Sequence, residues 1–141
     1  MTVLSPREAS IFACVADTLL APAPPLPPID QTDAVGAFDA WLSRAPRINR
    51  IGLRAVLLGL EVAPRLTRAR TRWRRLSPPA RLALLERLAH RPGGRTLVEA
   101  LRASAAVSYY GDAHVSALLG YVPAARRLSP ASAPVRPGAL P

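Results

Sequence analysis

Residues 51–63 read IGLRAVLLGLEVA, a run in which only Arg54 and Glu61 are charged. As a helix this segment is apolar nearly all round, which predicts a helix that is buried on all sides at the centre of a bundle. The run is too short to cross a bilayer, which takes about 20 apolar residues. Pro46 fits the start of this helix, and Pro64 ends or kinks it.

Helix-start signals also mark the segments before this run. Ser5, Pro6 and Glu8 form the pattern of a capping box with proline at the first helical position, which predicts a helix to about residue 20. Residues 30–33 offer carboxylates for the start of a second helix. The predicted inward positions of these two helices are Ile11, Phe12, Val15, Ala16, Leu19, Val35, Phe38, Trp41 and Leu42.

Three more helices are predicted in the second half of the chain. Ser77, followed by two prolines, starts a fourth helix, and the PGG sequence of residues 92–94 ends it. Thr96 and Glu99 form another capping-box pattern, at the start of a fifth helix rich in Ala and Ser. A short sixth helix covers residues 112–119. The predicted inward positions of the fourth and fifth helices are Leu82, Leu85, Leu88, Ala89, Leu97, Leu101, Ala105 and Ser108.

The segments between and after these helices complete the predicted fold. Residues 21–28 read APAPPLPP, which excludes helix and predicts an extended proline-rich strap over residues 21–29. Pro, Ala, Ser and Arg dominate residues 123–141 without periodicity, which predicts a disordered tail. No segment alternates polar and apolar residues as a strand does. The sequence therefore predicts a single all-α domain over residues 1–122, a small irregular bundle of about five to six helices.

The composition excludes several classes of protein and shows an uneven charge. The 141 residues include 19 cationic side chains, all of them Arg, against 9 acidic ones, so the formal net charge is +10. One Cys excludes an internal disulfide, and one Cys with two His cannot supply the four ligands of a structural zinc site. Residues 1–43 carry a net charge of −4, residues 44–75 hold ten Arg against one Glu, and residues 76–141 carry +5.

The basic middle segment offers a nucleic-acid-binding alternative. Its cations at helical spacing are Arg65, Arg68, Arg72 and Arg75. They lie beside Trp73, so the segment combines phosphate contacts with a ring on which a base can stack. Guanidinium groups also suit paired hydrogen bonds to carboxylates across a protein interface. Residues 44–75 are therefore a candidate interface with either a nucleic acid or a protein.

Few residue patterns point to catalysis. The sequence holds no nucleophile elbow, phosphate-binding loop or zinc-protease motif. The densest group of chemically active side chains is YYGDAH, residues 109–114. Asp112 and His114 are an acid–base pair in principle, beside Tyr110, although Asp112 also stands where a helix cap belongs. A small independent enzyme centred on these three residues is the third alternative.

Four segments carry a resemblance that covers nearly the whole predicted domain in order. They are LSPRE at residues 4–8, ADTLL at 16–20, RLSPPAR at 75–81 and YYGDAHVSALLGY at 109–121. Together they resemble the gluconate 2-dehydrogenase subunit 3 family, and they are similar to the helical segment that precedes the flavin domain in long-chain alcohol oxidases of the glucose-methanol-choline class. Where the family has proline after the aspartate of its closing motif, this chain has Ala113.

The resemblance implies a non-catalytic small subunit that stabilises a large FAD-dependent alcohol or sugar dehydrogenase. It implies that FAD and catalysis belong to the partner chain, through which a cytochrome or other electron acceptor is reached. Periplasmic members commonly carry a twin-arginine signal, and nothing before Ser5 resembles one, so we expect a cytoplasmic location. The positions that the resemblance implies for shaping the fold or the contact with the flavoprotein are Tyr109, Tyr110, Asp112, Gly120 and Tyr121.

Overall fold

A computed structural model describes residues 2–67 and 69–120 of the chain, and within them it shows six α-helices and no strand. The helices are α1 (Pro6–Leu20), α2 (Ala34–Arg44), α3 (Arg47–Val62), α4 (Pro78–Ala89), α5 (Gly94–Tyr110) and α6 (Ala113–Leu118). Short 3₁₀ helices lie at Ile29–Gln31, Ala63–Leu66 and Trp73–Arg75. The predicted small all-α bundle is confirmed, and the predicted tail, residues 123–141, lies outside the described residues.

The start of α1 is fixed by the predicted capping box. The Ser5 hydroxyl accepts a hydrogen bond from the Glu8 backbone N–H at 3.3 Å, and the Glu8 carboxylate accepts one from the Ser5 N–H at 2.7 Å. The residues just before the helix are held by α2, because the Asp39 carboxylate accepts from the N–H groups of Val3 and Leu4 at 2.8 and 2.7 Å. Local capping and one contact from α2 therefore orient the N-terminus of the domain.

The centre of the bundle is formed by α1 and α5 and not by α3. Helix α1 packs against α2, α3, α4 and α5, and α5 packs against α1, α2, α4 and α6, whereas α3 lies at one edge, against α1, α2 and the 3₁₀ helices that follow it. Only Leu57, Leu60 and Glu61 of α3 are buried. The prediction of a central helix over residues 51–63 is therefore wrong. A helix that is apolar nearly all round is expected to have neighbours on all sides. Within the described residues, only the inner side of α3 has them.

Aromatic and aliphatic side chains of α1, α2 and α5 form the core. The rings of Phe12 and Phe38 stack with their centroids 3.8 Å apart, which joins α1 to α2. Leu101 and Tyr109 of α5 are fully buried beside them. Two of the predicted inward positions are instead partly outside: Trp41 is 47% exposed and Leu82 is 41% exposed.

Helix α2 begins directly after Asp33, as predicted, but two predicted side-chain caps do not form. The carboxylates of residues 30–33 do not cap α2, since Asp33 makes no side-chain cap bond and the Thr32 hydroxyl accepts from Ala34 N–H at 3.3 Å. Helix α5 begins two residues before Thr96, at Gly94, so the predicted capping box with Glu99 does not form. The turn between α4 and α5 requires glycine at position 94, because a Cβ atom there would collide with the carbonyl oxygen of Leu88.

Candidate interaction surface

Tyr109 fastens the proline-rich strap to the bundle. Its side chain is fully buried, and its hydroxyl donates a hydrogen bond to the carbonyl oxygen of Pro27 at 2.6 Å. Burial raises the pKa of the Tyr109 phenol. Tyr110 packs edge-on against this ring with centroids 5.1 Å apart, and it is 42% exposed. Of the two tyrosines, one is therefore part of the core and the other faces outward.

Asp112 is the cap of α6, as predicted. Its Oδ1 accepts from the backbone N–H groups of His114 and Val115 at 2.9 and 3.1 Å, and its Oδ2 accepts from the N–H of Asp33 at 3.0 Å. These hydrogen bonds, that from Asp33 foremost, lower the pKa of the Asp112 carboxyl. The carboxylate thus joins α6 to the start of α2, and both of its oxygens are engaged.

The end of the closing motif agrees with the prediction as far as it is described. Gly120 has a φ of +69°, the left-handed conformation that glycine adopts without steric penalty, directly after α6 and its cap residue. Tyr121 lies outside the described residues.

The basic segment does not form a single helix. Arg65 lies in the first of two short 3₁₀ helices and Arg75 in the second, with turns between them, so the expected row of cations along one helix face is absent from the described residues. Arg65 and Arg75 are exposed, Arg72 is half-buried, and Arg68 lies outside the described residues. Trp73 is fully buried, so its ring is not presented to a base or to a partner.

Two buried carboxylates of the domain each pair with a partly exposed arginine. Glu61 of α3 is fully buried, and its Oε1 accepts from Nε of Arg74 at 3.0 Å. Glu8 of α1 is likewise buried, and its Oε1 accepts from Nε of Arg54 at 2.8 Å. These pairs attach α3 to the segment after it and to α1. The residue-by-residue reasoning missed both, although a carboxylate within an apolar helix, as at position 61, signals a buried partner.

The outer side of α3 is an apolar face that no described residue covers. Ile48 is 75% exposed, Ile51 54%, Leu58 40% and Val62 42%. With the exposed Ala55 they recur every three or four residues, which places them on one side of the helix. We call these five residues the α3 outer face. Isolated exposed apolar residues are ordinary on protein surfaces, but a row of this kind is typical of an interaction site.

A groove beside this face separates α3 from α4. Its volume is about 500 Å³. Its lining residues are Val56, Gly59, Leu60, Ala63, Leu66, Thr67, Leu84, Arg87, Leu88, Arg91 and Leu97. We call it the α3–α4 groove. Gly59 lines the groove next to Leu58 of the outer face, and it carries no side chain that would separate the groove from the α3 outer face.

Other features of the described residues offer less for recognition or chemistry. A second hollow of about 530 Å³ lies where α1 ends near α4 and α5, and charged side chains such as Glu86 and Arg102 line it. Cys14 is half-buried, and burial raises the pKa of its thiol. Within residues 2–67 and 69–120, no three His, Cys, Asp or Glu side chains group as metal ligands do.

Comparison with known proteins identifies no relative of this chain. No protein-family model, no curated protein and no solved structure matches the chain. None of the helices in the described part of the chain is long and apolar enough to span a bilayer. The α3 outer face and the α3–α4 groove are therefore the features on which a functional proposal rests.

Proposed function

We propose that this chain is a non-catalytic small subunit that binds and stabilises a FAD-dependent alcohol or sugar dehydrogenase or oxidase of the glucose-methanol-choline type. FAD and the catalytic groups belong to the partner chain in this proposal, and an electron acceptor such as a cytochrome is reached through that partner. The observation that carries the proposal is the uncovered α3 outer face.

The α3 outer face exposes apolar side chains to water. Exposed apolar area costs free energy in water, at about 25 cal/mol for each Å². A helix whose sequence is apolar nearly all round, yet which is covered only on its inner side, gains stability when a second protein covers the rest. Obligate interfaces are of this kind: they are rich in apolar residues and bury on the order of 2,000 Å² or more.

The identity of the partner comes from the resemblance of the sequence. The closing motif of that resemblance supplies structural contacts in this fold: Tyr109 holds the strap, Asp112 caps α6 and Gly120 provides the turn after it. These roles support a motif that shapes the subunit and not one that performs chemistry. His114, a member of the enzyme alternative, is exposed, and the carboxylate of its neighbour Asp112 already accepts from three backbone N–H groups.

Co-expression tests the proposal. Each flavoprotein of the glucose-methanol-choline type from the same genome is produced with and without this chain, and the soluble yield, bound FAD and co-purification are measured. We expect one large chain to co-purify with this subunit and to carry more FAD in its presence. If every large chain is equally soluble and flavin-loaded alone and none forms a complex, the proposal is wrong.

A matched pair of variants locates the effect. Leu58→Glu places a charge on the α3 outer face, and Val107→Glu places the same charge at an exposed apolar residue of α5, where Val107 is 72% exposed. We expect Leu58→Glu to abolish co-purification and Val107→Glu to leave it unchanged. The circular dichroism of both purified variants shows whether they remain folded.

A further inference from the structure

We propose that the α3–α4 groove and the α3 outer face together bind one acidic amphipathic helix of the partner protein. The identity of that partner rests on the proposed function above. The chemistry of the bound segment does not, because it follows from the shape and the charge of this surface. The surface combines apolar side chains, two exposed glycines of α3, and the arginines Arg87 and Arg91 at its edge.

The shape of the surface fits a helix. Helix α3 has 16 residues, so the surface extends for about 24 Å along it. The groove is walled by Val56 and Leu60 on one side and by Leu84 and Leu88 on the other, as in sites where an amphipathic helix lays its apolar face between two helices. An incoming helix of about 16 residues therefore matches the length of α3.

Two glycines allow close approach. Gly52 and Gly59 are both exposed, and a Cβ atom at either position would meet no other atom within 4 Å. They lie seven residues apart, which places them on the same side of α3, beside the outer face. At these positions the backbone itself is the surface. A second helix can therefore pack against α3 more closely than leucine or isoleucine side chains would permit.

The charge of the border selects an acidic partner. Arg87 in α4 and Arg91 just after it line the groove, and none of the lining residues is acidic. Within the described residues neither of these arginines pairs with a carboxylate, whereas Glu61, the one acidic residue of α3, is buried against Arg74. Aspartates or glutamates that flank the apolar stripe of a bound helix would meet these guanidinium groups.

Charge also disfavours the two occupants that this chain itself could supply. In a symmetric dimer, a second copy would bring the same arginine-bordered surface, so like charges would face each other across the interface. The C-terminal residues 121–141 contain Arg126, Arg127 and Arg136 and no acidic residue. A segment of another protein, apolar on one side and acidic on its flanks, is the occupant that complements the groove.

A peptide titration tests the proposal without a flavoprotein. The probe is a synthetic helical peptide of about 18 residues with leucines at heptad spacing and glutamates flanking them. Its control is the same peptide with lysines in place of the glutamates. The methyl resonances of the full chain report the position of binding. We expect saturable shifts at Leu58, Leu84 and Leu88, with the acidic peptide bound at least about 10-fold more tightly than the basic one.

Reversing the charge of the two groove arginines provides a second test of the proposal. Arg87→Glu with Arg91→Glu should exchange the preference of the groove from the acidic peptide to the basic one, whereas Arg102→Glu, at an exposed position of α5 outside the groove, should change neither affinity. The proposal is overturned if the two peptides bind equally, if neither binds, or if the shifts fall outside the groove and the outer face. It is also overturned if a photocrosslinker at position 58 captures a second copy or residues 121–141.

The two proposals fail in different ways. If no flavoprotein co-purifies but the acidic peptide binds in the groove with the expected charge dependence, the proposed function is wrong and the site stands. If a flavoprotein complex forms and is unaffected by Arg87→Glu with Arg91→Glu, while the peptide does not bind, the site is wrong and the proposed function stands.

Discussion

Glu8 accepts hydrogen bonds from both Ser5 N–H and Arg54 Nε, so one buried carboxylate closes the cap of α1 and joins that helix to α3. Burial acts to raise the pKa of Glu8, but the hydrogen bonds from Arg54 and Ser5 outweigh it, and the pKa lies below its ordinary value of 4.5. The unfolded chain therefore takes up this proton first. The stabilisation is present above pH 4.5 and is lost as the pH falls below it.

Glu8→Gln tests this contact, since glutamine keeps an oxygen for the Ser5 N–H but loses the charge that faces Arg54. The Arg54 side chain is 45% exposed and water screens part of the pairing, so we expect the free energy of unfolding at pH 7 to fall by about 1 kcal/mol. Urea unfolding at pH 7 and pH 3.5 measures it. The difference between wild type and variant should shrink at the lower pH, and a difference that stays constant would argue against the charge.

Tyr109→Phe removes only the hydroxyl that donates to Pro27. We expect a loss of about 1 kcal/mol in the free energy of unfolding, because the ring remains in the core while the carbonyl of Pro27 loses its partner. Hydrogen exchange at the backbone amides of residues 21, 23 and 26 should become faster. Tyr110→Phe is the matched control, and we expect it to change stability by less than about 0.5 kcal/mol because Tyr110 is 42% exposed.

Adjacent leucines of α3 separate folding from binding. Leu57 is fully buried, so Leu57→Ala should lower the free energy of unfolding by about 2–5 kcal/mol through the cavity that it leaves. Leu58 is 40% exposed on the outer face, so Leu58→Ala should cost less than about 1 kcal/mol and weaken binding to the partner instead. Thermal unfolding and co-purification measure the two effects. Equal destabilisation by both variants would show that the outer face is covered within this chain.

The sequence predicts best what is decided over a few residues. The capping box of Ser5 and Glu8 spans four residues, and its two hydrogen bonds join only these two side chains to each other's backbone. The environment of residues 51–63 could not be predicted in this way. The apolar composition indicates that α3 favours apolar neighbours, but it does not indicate on which side of the helix this chain supplies them.

The contacts that the sequence did not indicate join distant positions. The hydroxyl of Tyr109 and the carbonyl of Pro27 are 82 residues apart, and the Asp112 carboxylate meets an N–H 79 residues earlier. Their residue types indicate hydrogen bonding but not the partner. The α3–α4 groove was not anticipated for the same reason, since it exists only once two helices from different parts of the chain stand side by side.

Asp112→Ala removes the acceptor of three backbone N–H groups, and we expect it to lower the free energy of unfolding by about 1–2 kcal/mol. His114→Ala, two residues away on the exposed side, should change it by less than about 0.5 kcal/mol. In a co-purified complex, His114→Ala should also leave the oxidation rate of the substrate unchanged. A complete loss of activity with His114→Ala would favour the enzyme alternative over the subunit.

Two neighbouring arginines distinguish a structural role from nucleic-acid binding. Arg74→Ala removes the guanidinium that pairs with the fully buried Glu61 and leaves only a backbone N–H to that carboxylate, so we expect a loss of about 1–3 kcal/mol in the free energy of unfolding. Arg75 is exposed, and Arg75→Ala should change that energy by less than about 0.5 kcal/mol. Urea unfolding measures both changes.

The DNA affinity of the same variants decides the nucleic-acid alternative. A protein of net charge +10 binds duplex DNA non-specifically at low salt, so the informative quantity is the dependence of affinity on salt and on position. If residues 44–75 were a nucleic-acid site, Arg75→Ala would reduce the salt slope by about one while Arg102→Ala, at an exposed position of α5, would not. We expect the two variants to behave alike in fluorescence anisotropy, because in the proposed function this chain binds a protein and Arg75 contacts no phosphate.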